Sequence, residues 1–220
     1  MNNIAFIDLE IDGRGKIVDA GAVKAGKSIH TSRIADFVNF ISDAHFLCGH
    51  NITEHDYKYL RPFLSRDYKL IDTLYLSPLM FPRKPYHRLL KDDKLLSDEL
   101  NNPLNDAVKA KELFEDEINA FRDIDKRMQR IYYDLTAEDV HFKAFFDYIG
   151  YLPERRLFFL KKSTADNVKE ALDGKICANA DVNDAVWNSK AATAYSVALI
   201  STDDRNSQWA DGTAYSSILP

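Results

Sequence analysis

The chain opens on Ile4-Ala5-Phe6-Ile7-Asp8-Leu9, an apolar run that reads as a buried strand. Asp12-Gly13-Arg14-Gly15 follows as a turn signal, then Ile17 to Val23 as a second short strand and Ser28 to Thr31 as a third. Two β runs around a Gly-bearing turn predict a hairpin. Ile34 to Ile41 carries apolar residues at helical spacing and predicts a helix. Ala44 to Cys48 is short and apolar, as a central strand is, and ends at Gly49-His50-Asn51. Helical spacing returns over Asp56 to Arg61, broken after Pro62, and Lys69 to Asp72 reads as another short strand. The stretch Phe81 to Leu100, rich in Pro, Lys and Asp, reads as loop mixed with short helix. From Asn105 to Phe121 the positions Ala107, Ala110, Leu113, Phe114, Ile118 and Phe121 mark an amphipathic helix. Strands that alternate with helices make the first 122 residues an α/β unit.

The remainder, 123–220, changes character. Asp123 to Tyr133 is charged and helical, and Thr136-Ala137-Glu138-Asp139 has the spacing of an N-terminal cap before a helix from Val140 to Tyr148, stopped by Gly150. Ala185 to Ile200 predicts a further helix. Arg155-Arg156 and Lys161-Lys162 flank the apolar Leu157-Phe158-Phe159-Leu160. This second region reads as a small, mainly helical connector or accessory unit without a catalytic signature.

Composition narrows the picture only a little. A hydrophobic fraction of 45% and a charged fraction of 29% are those of an ordinary soluble domain. No apolar run reaches the roughly 18 residues of a membrane helix, and Met1-Asn2-Asn3 has no basic leader. Cys48 and Cys177 match neither a zinc spacing nor a redox pair, which fits a reducing, cytoplasmic compartment. A net charge of −5 argues against a protein that coats nucleic acid over its whole surface, but not against one that grips a strand end through a local basic groove.

The chemistry lies in the acids. Asp8 and Glu10 flank Leu9 at the end of the first strand, and residues two apart on a strand point to the same face. Two carboxylates held together at the mouth of a buried element repel each other unless cations neutralise them. Their hard oxygens suit Mg²⁺ or Mn²⁺. Asp56 and Asp106 each begin a predicted helix, where the dipole favours a carboxylate. Singly, each has an ordinary role as a turn or helix-start residue. Together, Asp8, Glu10, Asp56 and Asp106 predict a site for two divalent ions about 3.5–4 Å apart, of the kind that hydrolyses phosphodiesters.

Phe6-Ile7-Asp8-Leu9-Glu10 resembles the first exonuclease motif of the DnaQ-like (DEDD) superfamily, and Asp19-Ala20-Gly21-Ala22-Val23 is similar to its next strand. Gly49-His50-Asn51-Ile52-Thr53-Glu54-His55-Asp56 resembles the second motif, and Leu104-Asn105-Asp106-Ala107 with the helix that follows resembles the third. The resemblance implies an RNase H-like mixed sheet flanked by helices, and 3′-5′ exonuclease activity with the four acids as metal ligands. By the same analogy Leu9 touches the terminal nucleotide. His50, Asn51, Lys58 and Arg88 are further candidates for substrate contact, with structural hydrogen bonding the plainer role for His50. Lys58, Arg61, Arg66, Arg83, Lys84, Arg88, Lys91 and Lys94, interleaved with Tyr57, Tyr59 and Tyr86, are the cations and aromatics from which a single-strand groove could be built.

One slot departs from the family. A His five residues, or a Tyr four residues, before the last Asp usually positions or deprotonates the attacking water; here those positions hold Asn101 and Asn102. Asparagine can orient water but takes no proton near neutral pH. Three explanations stand open: catalysis needs no dedicated base, His87 folds back to serve, or the domain mainly binds nucleic acid. The stretches Asp72 to Leu79, Lys84 to Leu95 and Asp98 to Pro103 resemble a bacterial group in which such a domain precedes a RecQ-type DNA helicase. That resemblance implies a covalent helicase partner. Single-stranded DNA 3′ ends are the expected substrate, with RNA trimming and a non-hydrolytic binding module as the alternatives.

Overall fold

The computed structural model describes residues 3–89, 102–153 and 162–202. Its centre is a five-stranded mixed sheet in the order β3-β2-β1-β4-β5. β1 (Ile4–Ile11), β2 (Ile17–Lys24) and β3 (Lys27–Thr31) form an antiparallel meander. β4 (Phe46–Gly49) and β5 (Lys69–Asp72) add on the other side, each parallel to its neighbour. The C-terminal ends of β1, β4 and β5 therefore share one edge of the sheet. The predicted strands and the hairpin are all present.

Alternation sorts β1 onto two faces. Ala5, Ile7 and Leu9 join a core with α1 (Ile34–Ile41), whose Phe37 and Ile41 are fully buried. Phe6 points the other way, into a larger core with α4 (Pro103–Asp123). That core runs on without a break into α5 (Lys126–Thr136), α6 (Lys143–Ile149), α7 (Thr164–Ala171), α8 (Val182–Asn188) and α9 (Lys190–Thr202). Phe114 illustrates the join, its ring lying 5.9 Å from that of Phe6 and 6.2 Å from that of Phe145. The later helices thus complete the hydrophobic cover of α4.

Several boundaries differ from the sequence expectation. The charged helix starts at Lys126, because Ile124 is extended and Asp125 caps α5 by accepting the N–H groups of Arg127 and Met128. Thr136 caps no helix. It is the buried last residue of α5, and its hydroxyl donates to the Tyr132 carbonyl at 2.6 Å. Residues 137–142 turn around Asp139, so α6 begins at Lys143, and Gly150 does stop it, at φ 64°. The single helix expected from Ala185 to Ile200 is two, broken at Ser189. α2 (Asp56–Leu60) runs into a short 3₁₀ turn at Pro62. α3 (Thr73–Met80), which periodicity alone does not assign, contains Pro78 and is capped by Asp72. Arg155, Arg156 and the apolar run beside them lie outside the described residues, as do Lys91, Lys94 and Asn101.

Candidate metal centre

Asp8 and Glu10 continue the Phe6 side of β1, and so project towards the N-terminus of α4. A register shift directly after Glu10 ends the regular pairing with β2, a device that re-aims side chains at sheet edges. Asp8 stands opposite Gly21. A Cβ on Gly21 would lie 2.2 Å from the Leu104 nitrogen and 2.3 Å from the Pro103 carbonyl carbon. Only glycine allows the first turn of α4 to rest on the sheet at this point. Asn102 caps that turn, its side chain accepting from Leu104 N–H (3.0 Å) and Asn105 N–H (3.4 Å). Asp106 follows in the first turn of the helix.

The result is a group of three half-buried acids, Asp8, Glu10 and Asp106, with one carboxylate oxygen of each lying within 4.8 Å of the others. The donor set is all oxygen and all anionic, which fits a hard divalent cation such as Mg²⁺ or Mn²⁺. Neighbouring Asp19, opposite Glu10 on β2, is turned to β3 and pairs with His30 Nε2 at 2.7 Å.

Asp56 sits beside this trio rather than in it. It is almost fully buried, and its Oδ1 accepts the Leu9 N–H at 3.0 Å, between the two acids of β1. His55 Nδ1 is 3.4 Å from the same oxygen. Burial pushes the Asp56 carboxyl above its ordinary value, and the His55 and Leu9 contacts oppose the rise. His55 is raised in turn, chiefly by its bond to Asp56. The Leu9 side chain is buried in the α1-side core, so its main chain is the part held at the site.

The segment that delivers Asp56 hangs from Asp72, which the sequence reading did not single out. Asp72 is 0% exposed. Its Oδ1 accepts from Asn51 N–H (2.8 Å) and Leu74 N–H (3.0 Å). Its Oδ2 accepts from Thr53 N–H (3.0 Å) and the Thr53 hydroxyl (2.7 Å). Asn51 takes a left-handed conformation at φ 68°, one that Asn tolerates better than most residues, and its carbonyl accepts His55 N–H at 2.9 Å. An Asp at a strand end followed by Thr is an ordinary helix cap in sequence, so nothing there signals the long-range half of this role.

Two histidines line the same end of the sheet. His50 Nδ1 lies 2.9 Å from the Thr73 hydroxyl, and its Nε2 is buried with no hydrogen-bond partner among the described residues. Burial lowers its pKa, while Asp72 and Asp106 pull it up and His87 pushes it down. His87 folds back from the loop after α3 to Ser77, Nδ1 to Oγ 3.0 Å. Thr73 and Ser77 are one helical turn apart on α3, so both rings hang from one face of that helix. The Asn102 side chain is committed to its cap.

The basic residues disperse. Arg66 binds the carbonyls of Ser42 and Ala44, which precede β4 at the opposite end of the sheet from the acids. Arg61 pairs with Asp67 at 2.8 Å. Lys58 lies over the Tyr59 ring, next to Asp56, and Tyr59 edges onto His55 at 5.9 Å. Lys84 covers Phe81, and Tyr86 and Arg88 are exposed on the His87 loop.

No family model, curated protein or solved structure matches the chain. No helix among the described residues is long and apolar enough to cross a membrane.

Proposed function

We propose that the chain is a metal-dependent 3′-5′ exonuclease of the DnaQ-like, RNase H-like kind, acting on single-stranded DNA ends. The observation that carries this reading is the convergence of Asp8, Glu10 and Asp106 from β1 and α4, with oxygens mutually within 4.8 Å. The order and setting of the motifs around them, Asp56 included, support it. Asp8, Glu10 and Asp106 would hold divalent ions, with Asp56 beside them as the fourth candidate ligand. Mg²⁺ or Mn²⁺, when bound, supplies Lewis-acid stabilisation of the charge that develops on the phosphodiester. The chain's own part is to hold its acids on rigid elements, with Asp106 in the first turn of α4 and Asp56 fixed between Asp72's loop and Leu9. Lys58 and Tyr59, which follow Asp56 on α2, and Tyr86 and Arg88, exposed on the His87 loop, would supply phosphate and base contacts to the strand end.

A second reading draws on Asn102. With that side chain spent on its cap, the position offers no proton acceptor, as in a module that binds an end without cutting it and guides an attached helicase. Incubating labelled DNA and RNA oligonucleotides with Mg²⁺ or Mn²⁺ separates these readings. The expected result is laddering from the 3′ end of DNA that disappears in Asp8→Ala. Binding without cleavage in either metal would leave only the second reading, and preferential cutting of RNA would reassign the substrate.

A further inference from the structure

Among the described residues, His141 ties the region after α4 to the loop that presents Asp56. His141, in the turn between α5 and α6, places Nδ1 3.3 Å from the Thr53 hydroxyl. That hydroxyl has one proton, and the buried Asp72 Oδ2 accepts it at 2.7 Å. A carboxylate donates nothing, so the bond to His141 runs the other way, with Nδ1–H donating to Thr53. The tautomer of His141 is thereby fixed. Its ring is also stacked flat on Tyr75 of α3, with centroids 3.8 Å apart and planes 11° from parallel. Tyr75 is gripped in turn from α9, where the Tyr195 hydroxyl donates to its carbonyl at 2.9 Å.

We infer that His141 is a positioning residue for the metal centre, acting through Thr53 and Asp72 on the loop that presents Asp56. The inference rests on the metal-dependent reading above. The path is continuous: His141 to Thr53, Thr53 to Asp72, Asp72 to Asn51, Asn51 to His55, and Asp56 to Leu9. Every link but the last restrains the Asn51–His55 segment, and the last holds its product, the Asp56 carboxylate, between Asp8 and Glu10. The loop has no strand or helix of its own to define it. Its shape is set by Asp72 from beneath and by His141 from the side. The helices from α5 onward are then part of the site's scaffold.

The test uses the full chain and reads both metal affinity and the Leu9 amide. Mn²⁺ binding is measured by electron paramagnetic resonance, and the Leu9 ¹⁵N–¹H shift reports the bond to Asp56 without reference to catalysis. Thr53→Val removes the hydroxyl at constant shape, Thr53→Ser keeps it, and His141→Phe keeps the stack on Tyr75 while deleting the N–H donor. Partners bonded directly to a metal ligand are typically worth 10–100-fold in metal affinity, and Thr53 and His141, which act on Asp56 only through the loop, fall at or below the lower end of that range. The expected result is a loss of about 10-fold for Thr53→Val and several-fold for His141→Phe, each with a moved Leu9 amide. Thr53→Ser should stay within about two-fold of the parent protein, since it keeps the bonding group. Parent-like Mn²⁺ affinity and an unmoved Leu9 signal in both Thr53→Val and His141→Phe would overturn the inference while leaving the metal centre intact. Failure of the parent protein to bind Mn²⁺, or binding unaffected by Asp8→Ala, would overturn the metal reading and this inference with it.

Discussion

Two fully buried carboxylates lie within electrostatic reach of each other and could hardly be treated more differently. Asp72 at the end of β5 receives four hydrogen bonds, three from backbone N–H groups and one from a hydroxyl. Glu117, on the buried stripe of α4, is equally inaccessible at 0% exposure, yet neither of its oxygens has a hydrogen-bond partner among the described residues. The N–H dipoles around Asp72 replace the water it has lost. Glu117 has no such replacement, and burial drives its carboxyl well above the usual range, with the neighbouring Asp72 adding to the rise. A buried charge is tolerated where donors converge on it, and where none do, the neutral form is favoured. One acid organises its surroundings, and the other is merely accommodated.

The strongest way to break the contrast is to delete the organiser. Asp72→Ala leaves three backbone N–H groups and the Thr53 hydroxyl without their acceptor. The expected cost, measured by urea unfolding, is roughly 3–5 kcal/mol. A cost below about 1 kcal/mol, the worth of a single ordinary hydrogen bond, would show that the loop is held by something else.

Glu117 should behave in the opposite sense. Its folded pKa stands above the ordinary value of 4.5, so the unfolded chain releases the proton first as pH rises. Stability is therefore greatest below that value and declines as pH climbs towards the folded pKa, by up to about 1.4 kcal/mol per pH unit. Glu117→Met removes both the slope and the unpaired polar atoms. The variant should be more stable than the parent at pH 7, by about 1–3 kcal/mol, with the gain shrinking towards pH 4.5. A loss of stability at neutral pH would mean that the carboxyl is paired after all.

The smallest effect concerns Cys48, a buried thiol raised by burial first and then by Glu117 and Asp72. In the native protein a thiol reagent should modify the exposed Cys177 at once and leave Cys48 untouched until the core opens. Asp72→Ala should quicken the slow phase and Glu117→Met should slow it. Equal reactivity of the two thiols in the parent would contradict the packing of β4.

These two acids also mark where sequence patterning stops informing. The strands, α1, α4 and the same-face pair Asp8 and Glu10 follow from local periodicity, because each obeys the repeat of its own element. Asp106 was legible as a helix-start acid, though its approach to β1 depends on Gly21, whose missing Cβ matters only once α4 lies over it. Asp72 reads as a cap because one of its partners, Leu74, is two residues away; Asn51 and Thr53 come from another segment altogether. Glu117 breaks the apolar stripe of α4, and on a helix so rich in charge a single acid looks like part of the solvent face. α3 was hidden by Pro78, and α8 and α9 merged because nothing in the run around Ser189 announces a break. The roles of Asp72 and Gly21, unlike the α3 and Ser189 boundaries, were decided by neighbours distant in the chain.

The reliance of the acid trio on α4 has a consequence in time. Asp8 and Glu10 leave the ribosome first, and Asp106 follows roughly 100 residues later, so that at translation speeds of about 5–20 residues per second the nascent chain carries an incomplete trio for seconds. The helices that cover α4, and the turn that bears His141, emerge later still. Asp106, at position 106 of 220, completes the acid trio before the helices that cover α4 have been made.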